Sequence, residues 1–473
     1  MIRKTKIVCT LGPSTDDEAV LRQLMQNGMN VARINFSHQN HAQQLERIEV
    51  FKRLREELNL PIALMADTKG PEIRLGNFPA PVTLEKGRDF TLTTEETPGD
   101  ECHAKESFLD LPNDVRPGSK ILIDDGLIEL KVENCTATEI HCTVMNGGTI
   151  SSNKGVNVPG VRLSMPYVSS ADRADFHFIV ENDFDYIAAS FTRTADDLMA
   201  VREELDRLGC RNMRLIAKIE NAEGVANIDE ILRVADGIMV ARGDLGVEIP
   251  MEEIPVLQKK LIAKAYNGGK QVITATQMLE SMMHNPRPTR AESTDVANAI
   301  YDGTSAIMLS GETAAGEYPV EAVETMARIA LRTERDIDYK KRFRNRGTED
   351  LLNVTNAISH ATCAAAHDLN AQCIITVTLG GTTAKMISKF RPDCPIVGCS
   401  PVPKVVRQMA LSWGVEPLLI EIKENSDELF THAVERAQVG GLIREGDLAV
   451  ITAGVPLGTS GTTNMLKVHV VGE

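Results

Sequence analysis

Charged residues close two apolar runs of strand length: Lys218 and Glu220 end the first, and Arg242 and Asp244 end the second. Residues two apart in a strand point to the same side, so each pair is predicted to project together. Two carboxylates from neighbouring strand ends suit Mg²⁺, and a lysine beside them suits a phosphate or an oxyanion. One such pair would more often be a surface ion pair on a capped strand. Two pairs on successive runs favour a metal site.

The elements that must position these residues are short apolar runs separated by amphipathic, helix-like segments. The runs are rich in Val, Ile and Ala and mostly do not alternate, as expected of parallel strands covered on both faces. Eight β/α units is the count of a (β/α)8 TIM barrel, whose chemistry lies at the carboxyl ends of the strands. The predicted strands are Lys6–Gly12, Asn30–Ser37, Ile62–Asp67, Tyr186–Phe191, Arg214–Glu220, Gly237–Asp244, Gln271–Gln277 and Ala306–Glu312.

Two further regions fall outside the barrel pattern. Residues 71–166 alternate polar and apolar positions between turn residues, which predicts a small all-β domain inserted at the catalytic end of the barrel, where it can act as a lid. The region after the eighth run has a second α/β pattern with an open, largely parallel sheet. We predict a first barrel part at 1–70, the lid at 71–166, a second barrel part at 167–345 and a carboxyl-terminal α/β domain at 346–473.

Oxygen donors cluster at the ends of the second and third runs. Asn35 and Ser37 follow Arg33 on one face of the second run, and Asp67 and Thr68 end the third. Such neutral or singly charged donors suit a hard monovalent cation better than a transition metal. Arg33 beside them would hold a phosphate. Capped strand ends with solvated polar groups explain the same residues equally well, so this pattern alone leaves both interpretations open.

Glycine and hydroxyl residues form turns that could bind anions. Gly243 and Thr276 each lie just before a helical segment, and backbone amides at such turns can hold a carboxylate. Further along, Thr378–Ala384 follows a strand and opens a helix, and Gly458–Thr463 is a second loop of the same composition. Hydroxyls and amides at a helix start can cradle a phosphate. An ordinary helix cap and a turn would normally explain these two loops.

Composition excludes several classes of protein. A length of 473 residues predicts two to three domains. The net charge of −15 argues against a nucleic-acid partner, and no apolar stretch approaches the length of a membrane span. Nine cysteines without metal-binding spacing indicate a reducing cytoplasm. The start of the chain lacks an apolar leader region, and we expect a cytoplasmic protein without a membrane anchor.

Long motifs, all in the right order, resemble those of the pyruvate kinase family over essentially the whole chain. These motifs are Lys6–Pro13, Asn30–His38, Asp67–Arg74, Asn153–Gly160, Lys218–Asn221, Met239–Pro250, Ala275–Ser281 and Met308–Thr313. The resemblance implies a barrel, an inserted β lid and a carboxyl-terminal α/β regulatory domain. It also implies phosphoryl transfer from phosphoenolpyruvate to ADP, which gives pyruvate and ATP.

The resemblance further implies roles for the residues at the strand ends. Glu220 and Asp244 would bind Mg²⁺, while Lys218 would neutralise the phosphoryl group and the enolate in the transition state. Arg33 would hold the phosphate. The substrate carboxylate would meet Thr276 and the amides of the Gly243–Asp244 turn, and Thr276 would also lie near the carbon that is protonated. Arg242 is structural in this scheme.

Three further sets of residues follow from the same resemblance. The ligands of a K⁺ ion would be Asn35, Ser37, Asp67 and Thr68. The nucleotide phosphates would contact Asn35, His38, Arg74 and Lys154. A phosphorylated effector, either a sugar phosphate or a nucleotide, would bind Thr378, Gly380, Gly381, Thr382, Thr383, Ser460 and Gly461. Glu72 indicates dependence on K⁺, because a lysine replaces it in K⁺-independent members. The family also predicts a homotetramer.

Two other functions remain open from the residues themselves. A Mg²⁺-dependent aldolase or lyase that acts on pyruvate enolate would use the same Glu220 and Asp244 pair, but it would need neither a nucleotide nor a lid. A catalytically inactive protein that senses sugar phosphates would need only the carboxyl-terminal domain. The lid, Lys154 and the filled catalytic positions favour the kinase.

Overall fold

The computed structural model of the chain describes residues 2–37, 40–345, 353–456 and 463–473. The fold begins with three parallel strands that alternate with helices. These elements are β1 (Lys6–Thr10), α1 (Glu18–Gln26), β2 (Val31–Asn35), α2 (His41–Glu57) and β3 (Ala63–Asp67), with a 3-10 turn at Pro13–Thr15. Asp17 and Asn40 begin the two helices by accepting backbone N–H bonds, as N-cap residues do.

An all-β insertion follows the third strand, and we call it the inserted β domain. Its elements are β4 (Ile73–Arg74), β5 (Val82–Leu84), β6 (Asp89–Thr93), β7 (His103–Lys105), α3 (Leu111–Asp114), β8 (Lys120–Ile123), β9 (Ile128–Cys135), β10 (Glu139–Val144), β11 (Gly148–Ile150) and β12 (Gly155–Asn157). Seven strands form a sheet in the order β4-β12-β8-β9-β10-β6-β7, and β5 pairs with β11. Alternate apolar side chains of β9 and β10 build its separate core.

The chain then returns to complete the barrel. The elements are α4 (Ser170–Glu181), β13 (Tyr186–Ala189), α5 (Ala195–Arg207), β14 (Arg214–Ile219), α6 (Ala222–Ala226), α7 (Ile228–Val234), β15 (Gly237–Ala241), α8 (Arg242–Glu248), α9 (Ile254–Asn267), β16 (Gln271–Ala275), α10 (Arg290–Asp302), β17 (Ala306–Leu309), α11 (Gly311–Ala314) and α12 (Pro319–Glu334). Short 3-10 turns lie at Met251–Glu253 and Glu280–Met283. All eight barrel strands pair in parallel, in the closed order β1-β17-β16-β15-β14-β13-β3-β2.

The barrel strands lack alternation because both of their faces are buried. One apolar cluster fills the barrel interior, and a larger one lies between the strands and the surrounding helices. The predicted (β/α)8 barrel is therefore confirmed. Its mouth, the carboxyl ends of the strands, carries the charged residues, and we call the opposite end the barrel base.

One predicted strand is too long, and this corrects the pairing of Arg242 with Asp244. Strand β15 ends at Ala241, and α8 begins at Arg242, so these two residues lie on a helical turn and not on one face of a strand. The small-residue sequence after Ala241 permits the tight strand-to-helix turn. Similarly, β16 ends at Ala275, and the two following residues adopt left-handed backbone angles.

The carboxyl-terminal part is an open sheet covered by helices. Its elements are α13 (Tyr339–Arg344), α14 (Val354–Asp368), β18 (Cys373–Val377), α15 (Thr382–Lys389), β19 (Ile396–Ser400), α16 (Pro403–Met409), β20 (Val415–Leu419), α17 (Ser426–Val439), β21 (Leu448–Ala453) and β22 (Met465–Val470). The strand order is β20-β19-β18-β21-β22, and only the β21–β22 pair of this sheet is antiparallel. The predicted open, largely parallel sheet is confirmed, whereas the domain boundaries stay predictions. Among the described residues, no helix is long and apolar enough to cross a membrane.

Candidate active site

Lys218 lies at the centre of a buried charged cluster at the barrel mouth. It occupies β14, and its Nζ lies 2.9 Å from Asp67 Oδ1 at the end of β3 and 2.9 Å from Glu220 Oε1. It also donates to Ser190 Oγ, just beyond β13, at 2.7 Å. The predicted projection of Lys218 and Glu220 to one side of the strand is thus confirmed. Neighbouring parallel strands bring together residues that are far apart in sequence.

The pKa values of Lys218 and Asp67 favour their charged forms. Burial disfavours the charged Lys218, but the carboxylates of Asp67 and Glu220 outweigh burial and raise the pKa of the lysine above its usual value. Burial also works against a charged Asp67, but Arg33 and Lys218 outweigh it and lower the pKa of this carboxyl. A buried charge is tolerated only with such partners. The site therefore holds a buried, charged ammonium.

Arg33 is oriented by the two strands that flank it. Its Nε donates to Asp67 Oδ2 at 2.6 Å, and its Nη1 donates to Thr10 Oγ1 at 2.9 Å. Arg33 as a whole is 8% exposed, so its guanidinium is largely enclosed at the barrel mouth. A guanidinium fixed in this way can present its fork to a phosphate.

Glu220 combines one satisfied oxygen with one that receives no hydrogen bond. Its Oε2 accepts the backbone N–H of Phe191 at 2.6 Å. Its Oε1 is buried and, although 2.9 Å from Lys218 Nζ, is not in hydrogen-bonding geometry. Burial raises the pKa of Glu220 to about 7, with Lys218 opposing and Asp244 adding to the increase. An unsatisfied buried carboxylate oxygen beside a second carboxylate fits a divalent cation.

Other described residues add no further ligands to a preformed metal cluster. Within the described ranges, no three side chains of His, Cys, Asp or Glu are grouped so that they could hold a metal ion. Mg²⁺ characteristically keeps several waters or substrate oxygens around one or two carboxylates. The Glu220 and Asp244 pair therefore fits Mg²⁺ better than it fits a closed structural metal site.

Thr276 is held against the start of α8. The Gly243 N–H donates to Thr276 Oγ1 at 2.8 Å, and the Thr276 backbone is left-handed at φ +67°. A non-glycine residue in this region is strained and is typical of functional turns. Arg242 donates to Thr276 O at 2.6 Å and lies 2.6 Å from Asp295 Oδ2, so its contacts support the turn.

A cavity of about 400 Å³ lies between the inserted β domain and the barrel mouth. The inserted β domain contributes Asp125 to its lining, and the barrel contributes Asn221 and Asp244. Glu72, at the start of the insertion, also lines the cavity and lies 2.8 Å from Arg74. Asp244 is close enough to raise the pKa of both Asp125 and Glu72, although burial is the larger cause at each. The cavity is therefore rich in carboxylates and suited to cations bound with an anionic substrate.

The predicted K⁺ ligands lie at the ends of β2 and β3. Asn35 Oδ1 accepts the Ser37 N–H at 3.0 Å, and Thr68 is buried with its hydroxyl 3.4 Å from Ala188 O. Both oxygens of Asp67 already accept bonds from cationic side chains. Amide, hydroxyl and carboxylate oxygens suit a hard monovalent cation, so these donors are of the chemical type that binds K⁺.

The predicted nucleotide-binding residues of the inserted β domain are only partly free to meet phosphates. Arg74 donates to Asn153 O at 2.8 Å, and Lys154 Nζ lies 2.8 Å from Asp124 Oδ1. Both cations are solvent-accessible. His38 lies outside the described residues. Binding of phosphates would exchange the Lys154–Asp124 pair for a contact with the ligand.

The predicted effector loop is built from hydroxyls, amides and a glycine. Thr378 Oγ1 accepts the N–H of Gly381 at 3.0 Å, and Gly381 has φ +79°, which places it in the left-handed region that favours glycine. Helix α15 begins at the next residue, Thr382. These contacts form the expected turn into a helix, and the same geometry serves as a cap or as an anion site.

The two predicted effector loops meet through their threonines. Thr383 Oγ1 lies 2.8 Å from Thr463 Oγ1. Ser460 and Gly461 lie outside the described residues. On the other side, Gly380 O accepts from Arg214 Nη2 at 3.0 Å, which links the loop to the barrel base.

Sequence reasoning assigned no role to Ser190 and Phe191, which hold Lys218 and Glu220. The only signal in the sequence was a polar residue at the end of a predicted strand. The backbone bond from Phe191 carries no sequence signal, nor does its left-handed φ of +52°. These contacts arise from the packing of strands that are distant along the chain.

The fold and this mouth define a (β/α)8 enzyme with buried cationic and anionic groups at its active end. Two family models match, "Pyruvate kinase, barrel domain" over residues 2–323 and "Pyruvate kinase, alpha/beta domain" over residues 356–469. A pyruvate kinase of Clostridium acetobutylicum is 49% identical over 472 residues, which cover 99% of this chain and 100% of that protein. A pyruvate kinase of Geobacillus stearothermophilus is also 49% identical, over 100% of this chain and 81% of that protein.

A solved structure agrees with these relatives. The crystal structure of a pyruvate kinase from Cryptosporidium parvum matches with a TM-score of 0.93 at 38% identity, covering 99% of this chain and 96% of that chain. The chain belongs to the pyruvate kinase family. It is accordingly a transferase, and the reaction of its family is phosphoryl transfer from phosphoenolpyruvate to ADP.

Proposed function

We propose that this chain transfers a phosphoryl group from phosphoenolpyruvate to ADP with the help of Mg²⁺ and K⁺. The observation that carries the proposal is the ammonium of Lys218, held 2.9 Å from Asp67 and 2.9 Å from Glu220 at the barrel mouth. Phosphoryl transfer needs positioning and neutralisation of charge more than covalent chemistry by the protein. A buried, permanently charged lysine supplies such neutralisation without reorganisation.

The substrate would be held at both of its ends. Arg33, fixed by Asp67 and Thr10, would bind the phosphate of phosphoenolpyruvate. The carboxylate would accept bonds from Thr276 and from the amides of Gly243 and Asp244. Support for this position comes from the 2.8 Å bond that the Gly243 N–H donates to Thr276 Oγ1, which brings the two groups together. Binding of the carboxylate would exchange this bond for contacts with the substrate.

During transfer, the bond between phosphorus and the enol oxygen breaks as a terminal oxygen of ADP attacks phosphorus. Lys218 would stabilise the negative charge on the phosphoryl group and on the enolate left behind. The enolate then takes a proton at its methylene carbon, and we place this event near Thr276. Mg²⁺ held by Glu220 and Asp244, with K⁺ held by Asn35, Ser37, Asp67 and Thr68, would supply further positive charge.

The inserted β domain would serve as the lid. It lines the cavity together with the barrel mouth, and it carries Arg74 and Lys154 on the solvent side. Together with Asn35 and His38, these two cations would meet the phosphates of ADP. Closure would exclude water, so that the phosphoryl group passes to ADP and not to hydrolysis.

Regulation and location complete the proposal. We propose a homotetramer in the cytoplasm, activated by a sugar phosphate or a nucleotide at the loop Thr378–Ala384. The Thr383–Thr463 contact supports the pairing of this loop with the second predicted loop. All nine cysteines are free thiols, in keeping with a reducing compartment.

A pyruvate-release assay tests the proposed reaction. With phosphoenolpyruvate, ADP, Mg²⁺ and K⁺ present, pyruvate and ATP should appear in equal amounts, and omission of ADP or of Mg²⁺ should stop the reaction. Pyruvate release or exchange that proceeds without a nucleotide would favour the aldolase or lyase alternative. Binding of sugar phosphates without any turnover would favour the inactive sensor.

A further inference from the structure

Both connections between the barrel and the inserted β domain pack against one residue, Ser190. On the way in, Gly70 has φ +68°, and a Cβ built on it would lie 2.6 Å from Ser190 O. On the way back, the buried Tyr167 donates its hydroxyl to Ser190 O at 2.7 Å. The Ser190 carbonyl is therefore fixed at the point where the chain leaves and re-enters the barrel.

The side chain of the same residue faces the catalytic cluster. Ser190 Oγ accepts from Lys218 Nζ at 2.7 Å, and it lies 3.1 Å from Asp67 Oδ1 and 2.6 Å from Thr68 O. A hydroxyl has one donor and two acceptor positions, so it can hold the ammonium while it donates to one of these oxygens. Ser190 is 2% exposed, so water does not substitute easily for these contacts.

The next residue holds the second member of the cluster. Phe191 donates its backbone N–H to Glu220 Oε2 at 2.6 Å, and it does so from a left-handed backbone with φ +52°. A non-glycine residue in this region is strained and persists only where its surroundings fix it. The contacts of Gly70 and Tyr167 with the Ser190 carbonyl supply that constraint.

We propose that the Ser190–Phe191 turn couples the position of the inserted β domain to the placement of Lys218 and Glu220, with Tyr167 and Ser190 as positioning residues. The inference rests on the proposed function, because it assumes that Lys218 and Glu220 act in phosphoryl transfer. Movement of the returning connection displaces the Tyr167 hydroxyl, and the turn then follows. The lysine and the carboxylate are thereby aligned when the inserted β domain is in place.

The direct test is Tyr167→Phe, which removes the hydroxyl and keeps the ring. A neutral hydrogen bond contributes enough that its loss should lower kcat about 2- to 12-fold. The KM for phosphoenolpyruvate should change less than about twofold, because Arg33 and the carboxylate-binding turn are untouched. The matched control is Tyr186→Phe, since the Tyr186 hydroxyl donates to Gln408 O at the other end of the same strand, β13.

Both tyrosine variants lose the buried hydrogen bonds of one hydroxyl, which reach Ser190 O and Thr192 Oγ1 from Tyr167 and reach Gln408 O and Gln271 from Tyr186. Both should therefore melt at a lower temperature by a similar amount. Only Tyr167→Phe should lose turnover. Equal kcat values for Tyr167→Phe and the control would overturn the inference while leaving the proposed function intact. Absence of pyruvate formation by the parent protein would overturn both.

A second variant, Ser190→Ala, tests the same turn without changing Tyr167, and an unchanged kcat in this variant alone would contradict the inference. Ser190→Ala removes the acceptor for Lys218, and it should lower kcat at least about tenfold with a smaller change in KM. Combined with Tyr167→Phe, it should give a loss smaller than the product of the two single losses, as expected of residues in one network. Losses that multiply within about twofold would show that the two residues act independently and would contradict the coupling.

Discussion

The two ends of the barrel each place a lysine among charged groups, with opposite results; the Lys385 side chain at the base is 20% exposed, whereas that of Lys218 at the mouth is 10% exposed. At the mouth, Lys218 lies 2.9 Å from each of two carboxylates, and its pKa is raised although burial opposes this. At the base, Lys385 of α15 lies 3.9 Å from Asp236, and burial together with the nearby cations Arg214 and Lys270 lowers its pKa to about 8.

Burial alone therefore does not decide the protonation state of a lysine. Burial lowers the pKa at both sites, and the balance of nearby carboxylates and cations then fixes the direction. At the mouth, paired charges hold an ammonium ready for an anionic substrate. At the base, Arg202, Arg214 and Lys385 all lie within 4 Å of Asp236, an excess of positive charge beside the predicted effector loop.

One strand connects these two environments. Arg214 begins β14, lies 2.9 Å from Asp236 and donates to Gly380 O of the effector loop. Four residues later the same strand presents Lys218 to the mouth. Strand β14 therefore has a contact with the predicted effector loop at its start and the proposed catalytic lysine near its end. This strand is a physical route by which the effector loop could be coupled to the active site.

After replacement of Lys218 itself, the largest effect is expected at the mouth from Glu220→Gln. The substitution removes one of two carboxylates for Mg²⁺ and one partner of Lys218, so turnover at ordinary Mg²⁺ should fall about 10²-fold or more. A Mg²⁺ titration of kcat should show partial recovery at high concentration. Glu223→Gln is the matched control, because Glu223 lines the cavity beside Asp244 without a proposed metal role. An equal loss in both variants would contradict the metal assignment.

The K⁺ site should give the next largest effect. In tetramethylammonium buffer without K⁺, turnover should fall about 10²-fold, the scale of losing one preorganised charge, and should return when K⁺ is added. Glu72→Lys should relax this requirement, because its ammonium would replace a missing positive charge near Asp244. Glu72→Gln, which removes the charge alone, should not. Undiminished turnover of the parent protein without K⁺ would exclude the site.

At the base, Thr382→Glu tests the effector loop without burying a charge. Thr382 is partly exposed in the first turn of α15, where a carboxylate is favourable to the helix but repels a phosphate. Any activation by sugar phosphates or nucleoside monophosphates should be lost, which removes a shift in substrate affinity of roughly 5- to 150-fold. The neutral Thr382→Val should lose less. Initial rates at low and at saturating phosphoenolpyruvate, with and without effector, measure the activation of each variant. Unchanged activation in Thr382→Glu would show that the effector binds elsewhere.

The smallest effect is expected on the stability of the fold when Lys385 is replaced. Its folded pKa of about 8 lies below the ordinary lysine value near 10.4, so the folded state holds fewer protons between these pH values. The charged lysine therefore destabilises the fold fully below pH 8, and this cost fades as the pH rises to about 10.4. Lys385→Met should raise Tm by about 2–4 °C at pH 7, and the gain should shrink by pH 10. A gain that is constant across this range would contradict the assigned pKa.

The sequence predicted the barrel because its signal is local and repeated. All eight apolar runs became barrel strands, since a strand buried on both faces needs only a short apolar segment. The ends of the strands were predicted less accurately. From the sequence alone, Arg242 and Asp244 could either continue β15 or begin a helix. In the structure they begin α8, and Arg242 contacts Thr276 and Asp295.

In the candidate site, too, local contacts could be predicted from the sequence and contacts between distant strands could not. The contact of Lys218 with Glu220 followed from strand periodicity, whereas the contacts of Lys218 with Asp67 and Ser190 depend on the order of strands around the barrel. The hydrogen bond from Tyr167 to Ser190 O joins residues 23 positions apart in the sequence. No sequence pattern indicates the left-handed backbone of the next residue, Phe191. Roles for the nucleotide-binding residues came from the family resemblance alone, whereas the metal and effector sites were indicated by residue types and then by the resemblance. All of these roles stay predictions.

The central claim is that the mouth lysine performs the chemistry and the base lysine does not. The most direct test is kcat for pyruvate formation at saturating phosphoenolpyruvate, ADP, Mg²⁺ and K⁺, measured for Lys218→Met and Lys385→Met side by side. We expect a loss of at least about 10³-fold for Lys218→Met and a change within about twofold for Lys385→Met. Near-normal turnover of Lys218→Met, or an equal loss in Lys385→Met, would contradict it.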